Sequence, residues 1–226
     1  MADASVNLTA VDTFSLGGSF IPQNTTKTIS QDHAEMVKAN GDYQKYSSVF
    51  NVLNTYSTSY KFNADTGLGA ALPSIGAVSG AIMIDAISVS TTYNDYPEIT
   101  ITGHQHGENV HADDRVTYAI PAGIQGSLTG AIGAYDFFSK ASATVCATDS
   151  TYTIQMTHVD VECGDGDHFV GDNILGNEEA SVTYVGDAAT PTTVSGWTVT
   201  SADETDNNQE FDTSTISAHR VVARSA

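Results

Sequence analysis

The stretch Tyr152–Val185, YTIQMTHVDVECGDGDHFVGDNILGNEEASVTYV, decides the fold class. It reads as two long strands joined by an acidic, glycine-rich crossing. Tyr152, Ile154 and Met156 alternate with Thr153, Gln155 and Thr157, the period of two that puts one set on each face of a strand. The parity then breaks, because Val159, Val161 and Cys163 take the places that were polar before. A one-residue slip turns every side chain over, so a regular strand cannot bury both sets on one side. A β-bulge near His158 would absorb the extra residue. The alternative is a strand whose two halves pack against different neighbours, as in an assembly. From Ala180 to Val185 simple alternation returns, with Val182 and Tyr184 on one face.

Outward from this stretch the chain gives more of the same. Asn54–Phe62 alternates with Tyr56, Tyr60 and Phe62 on one side. Ala81–Tyr93 is strand-like, with Asp85 inside it. Further strands are expected at Glu98–Thr102, Arg115–Ile120, Ala141–Cys146, Gly196–Ser201 and Thr215–Ala223. Ile124, Leu128 and Ile132 recur every four residues in the glycine-rich Ala122–Gly133 and suit a loose helix. The firmer helix expectation is Ser30–Asn40, at about residues 31–40: Ser30 as cap, Asp32 and Glu35 in the first turn, Lys38 near the end and Gly41 as terminator. The fold class expected is therefore mainly β, a β-sandwich or barrel of about ten strands with one short helix and long assembly loops. Residues 1–29 read as an extended N-terminal arm or edge strand, and 30–226 as a single β domain. No repeat of fixed period is visible.

Eight basic residues against 27 acidic ones give a formal charge of −19. That balance argues against specific nucleic-acid binding, which depends on Lys and Arg neutralising phosphate, and against docking on an anionic membrane. Such self-repulsion also makes screening by salt or divalent cations a factor in any assembled state. The start, Met1-Ala-Asp-Ala-Ser-Val, has neither the basic residues nor the apolar run of a signal peptide. Thr66–Ile84 is uncharged apart from its flanks, but Pro73 and its glycines make it a poor membrane helix and a better loop leading into a buried strand. Cys146 and Cys163 are too few for a disulfide framework. With a hairpin turn at Asp149-Ser150 they would not meet, and two buried free thiols are expected.

Two clusters invite chemistry. Gly103–Asp114, GHQHGENVHADD, carries His104, His106 and His111 beside Glu108, Asp113 and Asp114, an imidazole and carboxylate set suited to a divalent metal. His104 and His106 share a face if the strand extends that far. A cupin barrel uses a similar His-x-His pair, yet here His111 stands where its glutamate belongs, and Pro121-Ala122-Gly123 is followed by no histidine. The second cluster, Gly164–Asp172, offers Asp165 and Asp167 as oxygen ligands for a cation such as calcium, without the full spacing of a helix–loop–helix site. Solvated polar loops give the same composition in both places. Glu178-Glu179 follow Gly176-Asn177 and read as exposed charge in a turn, and Asp203–Asp206 as a solvated loop. There is no Gly-x-Ser-x-Gly elbow, phosphate loop or dinucleotide fingerprint. A non-enzymatic, structural or adhesive unit is the expectation.

The segments AEMVKANGDYQK, PEITITGHQHGENVHADD, STYTIQMTHVDVECGDGDHFVGDN and EEASVTYVG, over residues 30–223, resemble in layout and texture bacteriophage virion structural proteins of the tail-tube type. The resemblance implies a β core that self-assembles into rings, hexameric ones included, stacked as a tube in the virion after synthesis in the host cytoplasm. Other virion proteins would be its partners, its acidic lumen would let DNA pass without sticking, and no enzyme activity or cofactor would be required. The histidine cluster departs from that picture, since a plain tube has no need of it. A capsid decoration or fibre protein, a metal-dependent cupin-like enzyme built on His104, His106 and His111, and a secreted adhesin or sugar-binding module are the other classes the residues leave open.

Overall fold

A computed structural model describes residues 4–8, 11–18, 20–33, 36–37, 39, 43–45, 49–62, 72–106, 117–118, 134–162, 168–186, 194, 196–206 and 211–221, with the backbone alone for 4–8, 32–33, 36–37, 43–45, 49–51, 157–162 and 168–175. Twelve strands run in order: β1 (Ala4–Leu8), β2 (Phe20–His33), β3 (Met36–Val37), β4 (Tyr43–Lys45), β5 (Val49–Phe62), β6 (Val78–Ser79), β7 (Ile82–Thr92), β8 (Glu98–His106), β9 (Cys146–Glu162), β10 (His168–Val185), β11 (Thr198–Thr205) and β12 (Thr213–Val221). Ten of them form one antiparallel sheet in the order β1-β2-β5-β8-β7-β9-β10-β12-β11, with β6 beside β7; β3 and β4 pair apart. The path ends on β1 and β11, which do not pair with each other, so the fold is mainly β and sandwich-like but not a closed barrel.

One face of the sheet carries the core. Tyr60, Phe62, Ile99, Ile101, Ile87, Val89, Tyr152, Ile154, Val182, Tyr184 and Ile216 are buried in a single cluster that runs across six adjacent strands, β5 to β12, with Phe20 of β2 beside them and Phe14, Leu72, Ile75, Phe138 and Val194 laid onto it from the connections. The residues between them, at the alternate positions of the same strands, are mostly Ser and Thr. On this second face they pair across strands: Ser88 with Thr153 at 3.0 Å, Ser181 with Ser217 at 3.0 Å, and Thr183 with Thr215 at 3.1 Å. Cross-strand hydroxyl pairs stabilise a half-solvated sheet without hydrophobic cover.

The sheet is built twice. In its first half the strands stand in the order β2-β5-β8-β7, and in its second in the order β9-β10-β12-β11, each being the first, second, fourth and third of its half. The irregularities repeat as well. One residue of the leading strand is skipped beside the equivalent tyrosines, Tyr60 and Tyr184: Gln23 in β2 and Thr148 in β9; one extra residue sits in the second strand, between Phe50 and Leu53 in β5 and between Ile174 and Asn177 in β10; and one sits in the third strand, Asp85 in β7 and Thr200 in β11. Matching hydrogen bonds join the second strand to the turn before the fourth: Phe62 N–H to the Pro97 carbonyl and Gly186 N–H to the Asp212 carbonyl, both at 2.9 Å.

Each half opens on the same loop. In the first, Asp12-Thr-Phe-Ser15 places Ser15 in the left-handed region (φ 54°) and buries Phe14; in the second, Asp136-Phe-Phe-Ser139 does the same with Ser139 (φ 54°) and Phe138. Asp12 accepts backbone N–H bonds from Leu16 and Gly17 (3.1 and 3.2 Å) and the hydroxyl of Tyr60 at 3.0 Å. Asp136 accepts from Phe138 and Ala141 (3.2 and 2.6 Å) and from the hydroxyl of Tyr184 at 2.5 Å. A buried tyrosine at the end of the second strand thus holds down the loop that leads into the first. Each half also turns into its third strand through Val-Ser-Gly, with Gly80 (φ 66°) and Gly196 (φ 80°) in the conformation that favours glycine.

Several expectations are corrected. Residues 31–33 continue β2 and Met36–Val37 pairs with β4, so the Ser30–Asn40 segment is not a helix where it is described; the cap and charge pattern is outweighed by the ladder to β5. β9 carries no extra residue at His158, because Thr157–Val161 pair in register and the bulge lies in β10. Cys146 opens a continuous strand with no turn at Asp149-Ser150, and it is exposed, not a buried thiol. Glu178-Glu179 lie within β10 and Asp203–Thr205 within β11, although these last are solvent-exposed as expected. A repeat is present, though not one of fixed period. Cys163, the expected helix at 122–133 and most of the 115–120 segment lie outside the described residues.

Burial raises the pKa of Tyr60, Tyr152 and Tyr184 above the ordinary tyrosine value, with Asp12, Glu178 and Asp136 respectively adding to the effect. A hydroxyl harder to ionise in the folded state gives stability that is complete below the unfolded pKa of about 10 and is lost as pH climbs through it toward the folded values. Denaturant midpoints are therefore expected to stay level from about pH 8 to 9.5 and to fall steeply above about pH 10. A midpoint unchanged at pH 11 would contradict the clamp.

Candidate functional site

The histidine cluster sits where β8 meets β7. Burial alternates along β8 through Gly103 and then includes consecutive positions: Gly103, His104 and His106 are all buried, so both faces are covered at this end. The cause lies in the facing strand. Asp85 is the extra residue of the β7 bulge, between Ile84 opposite Gly103 and Ala86 opposite Thr102. A bulge re-aims the residue it carries, and here it brings both carboxylate oxygens of Asp85 to 2.7 and 2.8 Å from Nδ1 of His104. Gly103 permits the close approach: a Cβ there would lie 2.4 Å from the Met83 carbonyl oxygen. The rings of His104 and His106 meet edge to face, 5.2 Å between centroids and 83° between planes.

A carboxylate on one imidazole nitrogen fixes the ring and its tautomer, the arrangement found behind many metal-bound histidines. It also occupies Asp85. Among the described residues no group of three His, Cys, Asp or Glu side chains is arranged to hold a metal. His111, Asp165 and Asp167 lie outside the described residues, so the structure brings together His104 and His106 of the five candidate ligands and adds Asp85, which sequence reading left as a charge inside a strand.

The second half places His219 where the first has His104, and the bulge residue there is Thr200 in place of Asp85. Thr200 gives its hydroxyl to the Ser217 carbonyl at 3.0 Å. Next to it the open face forms a hollow of about 300 Å³, floored by Ser181 and Ser217 and walled by Thr151, Thr153, Glu179 and His219. Ser181 and Ser217 bond to each other, so neither serine is paired with a base in the way a nucleophile requires. This is a polar, hydrogen-bonding surface.

On the core side of the same strands, Glu178 is buried and accepts from Nε of Arg220, whose guanidinium lies 4.4 Å from the centre of the Trp197 ring. Trp197 in turn packs edge-on against Phe138 at 5.9 Å. The ion pair closes the end of the second half's core where the first half has Asn54 and Gln105. Taking one partner away leaves a buried charge, which costs far more than the pair contributes.

Two outcomes follow for stability. Asp85→Ala is expected to lower the unfolding free energy by about 1–3 kcal/mol, the cost of orphaning a buried polar partner, whereas Thr200→Ala at the equivalent bulge should cost less than about 1 kcal/mol; urea titrations giving equal losses would contradict the assigned role of Asp85. Arg220→Met should cost on the order of 2–3 kcal/mol, moderated by the third of the arginine side chain that is exposed, and the double change with Glu178→Gln should recover most of it. Additive losses in that double variant would show that the two side chains do not act as a pair.

Set against models of known protein families and against curated proteins, the chain matches none. Its function has to be argued from geometry.

Proposed function

We propose that this is a self-assembling, non-enzymatic structural protein of the bacteriophage virion, a tail-tube-type subunit that builds rings or a tube with other copies of itself. The observation that carries the reading is the seam between the two halves of the sheet. β7, the third strand of the first half, pairs with β9, the first strand of the second, over seven consecutive residues from Ala86–Gln155 to Thr92–Asp149. A unit that joins its own duplicate edge to edge, first strand to third, makes a head-to-tail contact, and head-to-tail contacts generate rings or filaments when repeated. The sheet's remaining ends are strand edges, which in soluble monomers are a standing invitation to pairing.

The chemistry of the surface agrees. The open face is hydroxyl-lined, with Ser88–Thr153, Ser181–Ser217 and Thr183–Thr215 paired across strands. The charge of −19 fits a lumen that does not hold DNA, and it makes assembly dependent on ionic strength or divalent cations. Capsid decoration and fibre roles would use the same sheet without lateral head-to-tail contacts.

Mass photometry and negative-stain microscopy of the purified protein, at low and high salt and with and without calcium, test the reading. Rings, tubes or filaments, formed more readily as screening increases, are expected. A monomer in every condition would sink the tube proposal and return attention to decoration roles and to metal analysis of the His104–Asp114 segment.

A further inference from the structure

The internal seam predicts an external one. β11 stands at the end of the second half where β7 stands at the end of the first, and β2 opens the first half where β9 opens the second. If the seam continues from copy to copy, β11 of one chain pairs with β2 of the next. The registers within each half fix which residues would face. Ile87 and Ala202 both stand opposite the isoleucine at the middle of the fourth strand, Ile101 and Ile216. Ile154 and Ile29 stand one residue short of the bulge in the second strand, opposite Glu178 and Asn54. Carrying the pairs Ile87–Ile154 and Val89–Tyr152 of the seam across therefore sets Ala202 against Ile29 and Glu204 against Lys27. In a chain with eight basic and 27 acidic residues, the second of these pairs sets one of the few cations against an acid on the exposed edge strand. Two β11 edges, by contrast, would set Asp203 and Glu204 of both copies together, so like edges repel and unlike edges attract.

In the free chain that place on β2 is taken. β1 pairs with it over five residues, Ala4–Ile29 to Leu8–Thr25, in the same direction as β7 runs along β9. It occupies the matching positions too: Ala4-Ser-Val-Asn-Leu8 stands where the seam has Ile87-Ser-Val-Ser-Thr91, with Ser and Val in common. β1 is thus a stand-in for a third strand.

We propose that β1 is a capping strand, that it holds the β2 edge closed in the monomer, and that assembly proceeds by exchange, with β11 of a second copy of this chain displacing β1 and pairing with β2 in the register of the β7–β9 seam. The exchange replaces the five-residue ladder of β1 by one in which Ser201–Thr205 of β11 face Thr26–Ser30, and it adds the Lys27–Glu204 contact, while the acids of β11 keep that edge from pairing with itself. The inference rests on the self-assembly reading and adds its mechanism, its register and its control.

The test uses the full-length chain with Cys146→Ser and Cys163→Ser. Asn7→Cys with Thr26→Cys, positions that face each other in the β1–β2 ladder, locks β1 in place when oxidised. Assembly is expected to drop at least tenfold in the oxidised protein and to return on reduction. Separately, a copy carrying Ala202→Cys mixed with a copy carrying Ile29→Cys should give a disulfide-linked dimer on gels, whereas Asp203→Cys with Ile29→Cys, one residue out of register, should give little. Oxidised protein that assembles as well as reduced protein, or oligomers that form without the 202–29 crosslink, overturns the exchange while leaving self-assembly standing. A chain that never leaves the monomer overturns both.

Discussion

The structure depends on backbone pairing at one seam, where β7 meets β9. Each half of the sheet buries its own aromatic cluster against its own loop, but neither half is wide enough to leave its facing edge exposed without consequence. Joining the third strand of one to the first strand of the other satisfies both edges and makes one apolar face out of two. Ile87 against Ile154 and Val89 against Tyr152 are the packing of that junction, and Ser88 against Thr153 is its polar side. Everything distal to the seam follows from it: the core is continuous because the seam is, and the two outer edges exist because the join uses one edge from each half and leaves the other two.

The tyrosine–aspartate clamps explain how each half keeps its shape. A left-handed serine is an unusual backbone choice, tolerated where surrounding contacts over-determine it. Asp12 supplies those contacts by gathering the N–H groups of Leu16 and Gly17 just after the serine, Asp136 by gathering those of Phe138 and Ala141 on either side of it, and Tyr60 and Tyr184 tie each aspartate to the sheet. The loop's phenylalanine then drops into the core at Phe14 and Phe138. The same geometry reached twice, with different residues around it, indicates that Asp, Phe, Ser and the distant Tyr are the minimum set for this turn, and that the intervening positions are free to vary.

Much of this was legible in the chain. The alternation of Tyr56, Tyr60 and Phe62, and of Val182 and Tyr184, gave the strands and their buried faces, and the Ser and Thr between them gave the open one. The repeat was not legible, because the spacing between equivalent residues changes: it is the same for Asp12–Asp136 and Tyr60–Tyr184, is longer by one on β2 and β9 between them, and shortens after the second strand, where the first half has the longer connection. Few side chains agree along the way. What repeats is backbone: bulges, left-handed turns and pairing register, which leave little trace in composition. The false helix at residues 31–40 has a related cause. Local caps and charges there compete with a long ladder to β5, and tertiary pairing wins over a short helix that has no sheet to lean on. At His104 the histidine pair was legible but not the carboxylate partner, because Asp85 reaches His104 only through a bulge.

The two halves also show how a repeated unit acquires difference. At the bulge of the third strand one half has Asp85 and the other Thr200, with His104 and His219 at the matching place on the fourth. The aspartate is half-buried and hydrogen-bonds its buried histidine; the threonine borders the hydroxyl-lined hollow. The ion pair is placed the other way round, in the second half at Glu178 and Arg220, where the first has the neutral Asn54 and Gln105. Both pairs lie near the end of the fourth strand, beyond its last core aliphatic, at neighbouring positions: His104 on the open-face side in the first half and Arg220 on the core side in the second. That is where the long hairpins β2–β5 and β9–β10 extend past the body of the sheet, and where the apolar face no longer has strands on both sides to close over it. What closes that end is a hydrogen-bonded polar pair, Asp85 with His104 in one half and Glu178 with Arg220 in the other, and which pair is used is the part of the design that the repeat leaves free.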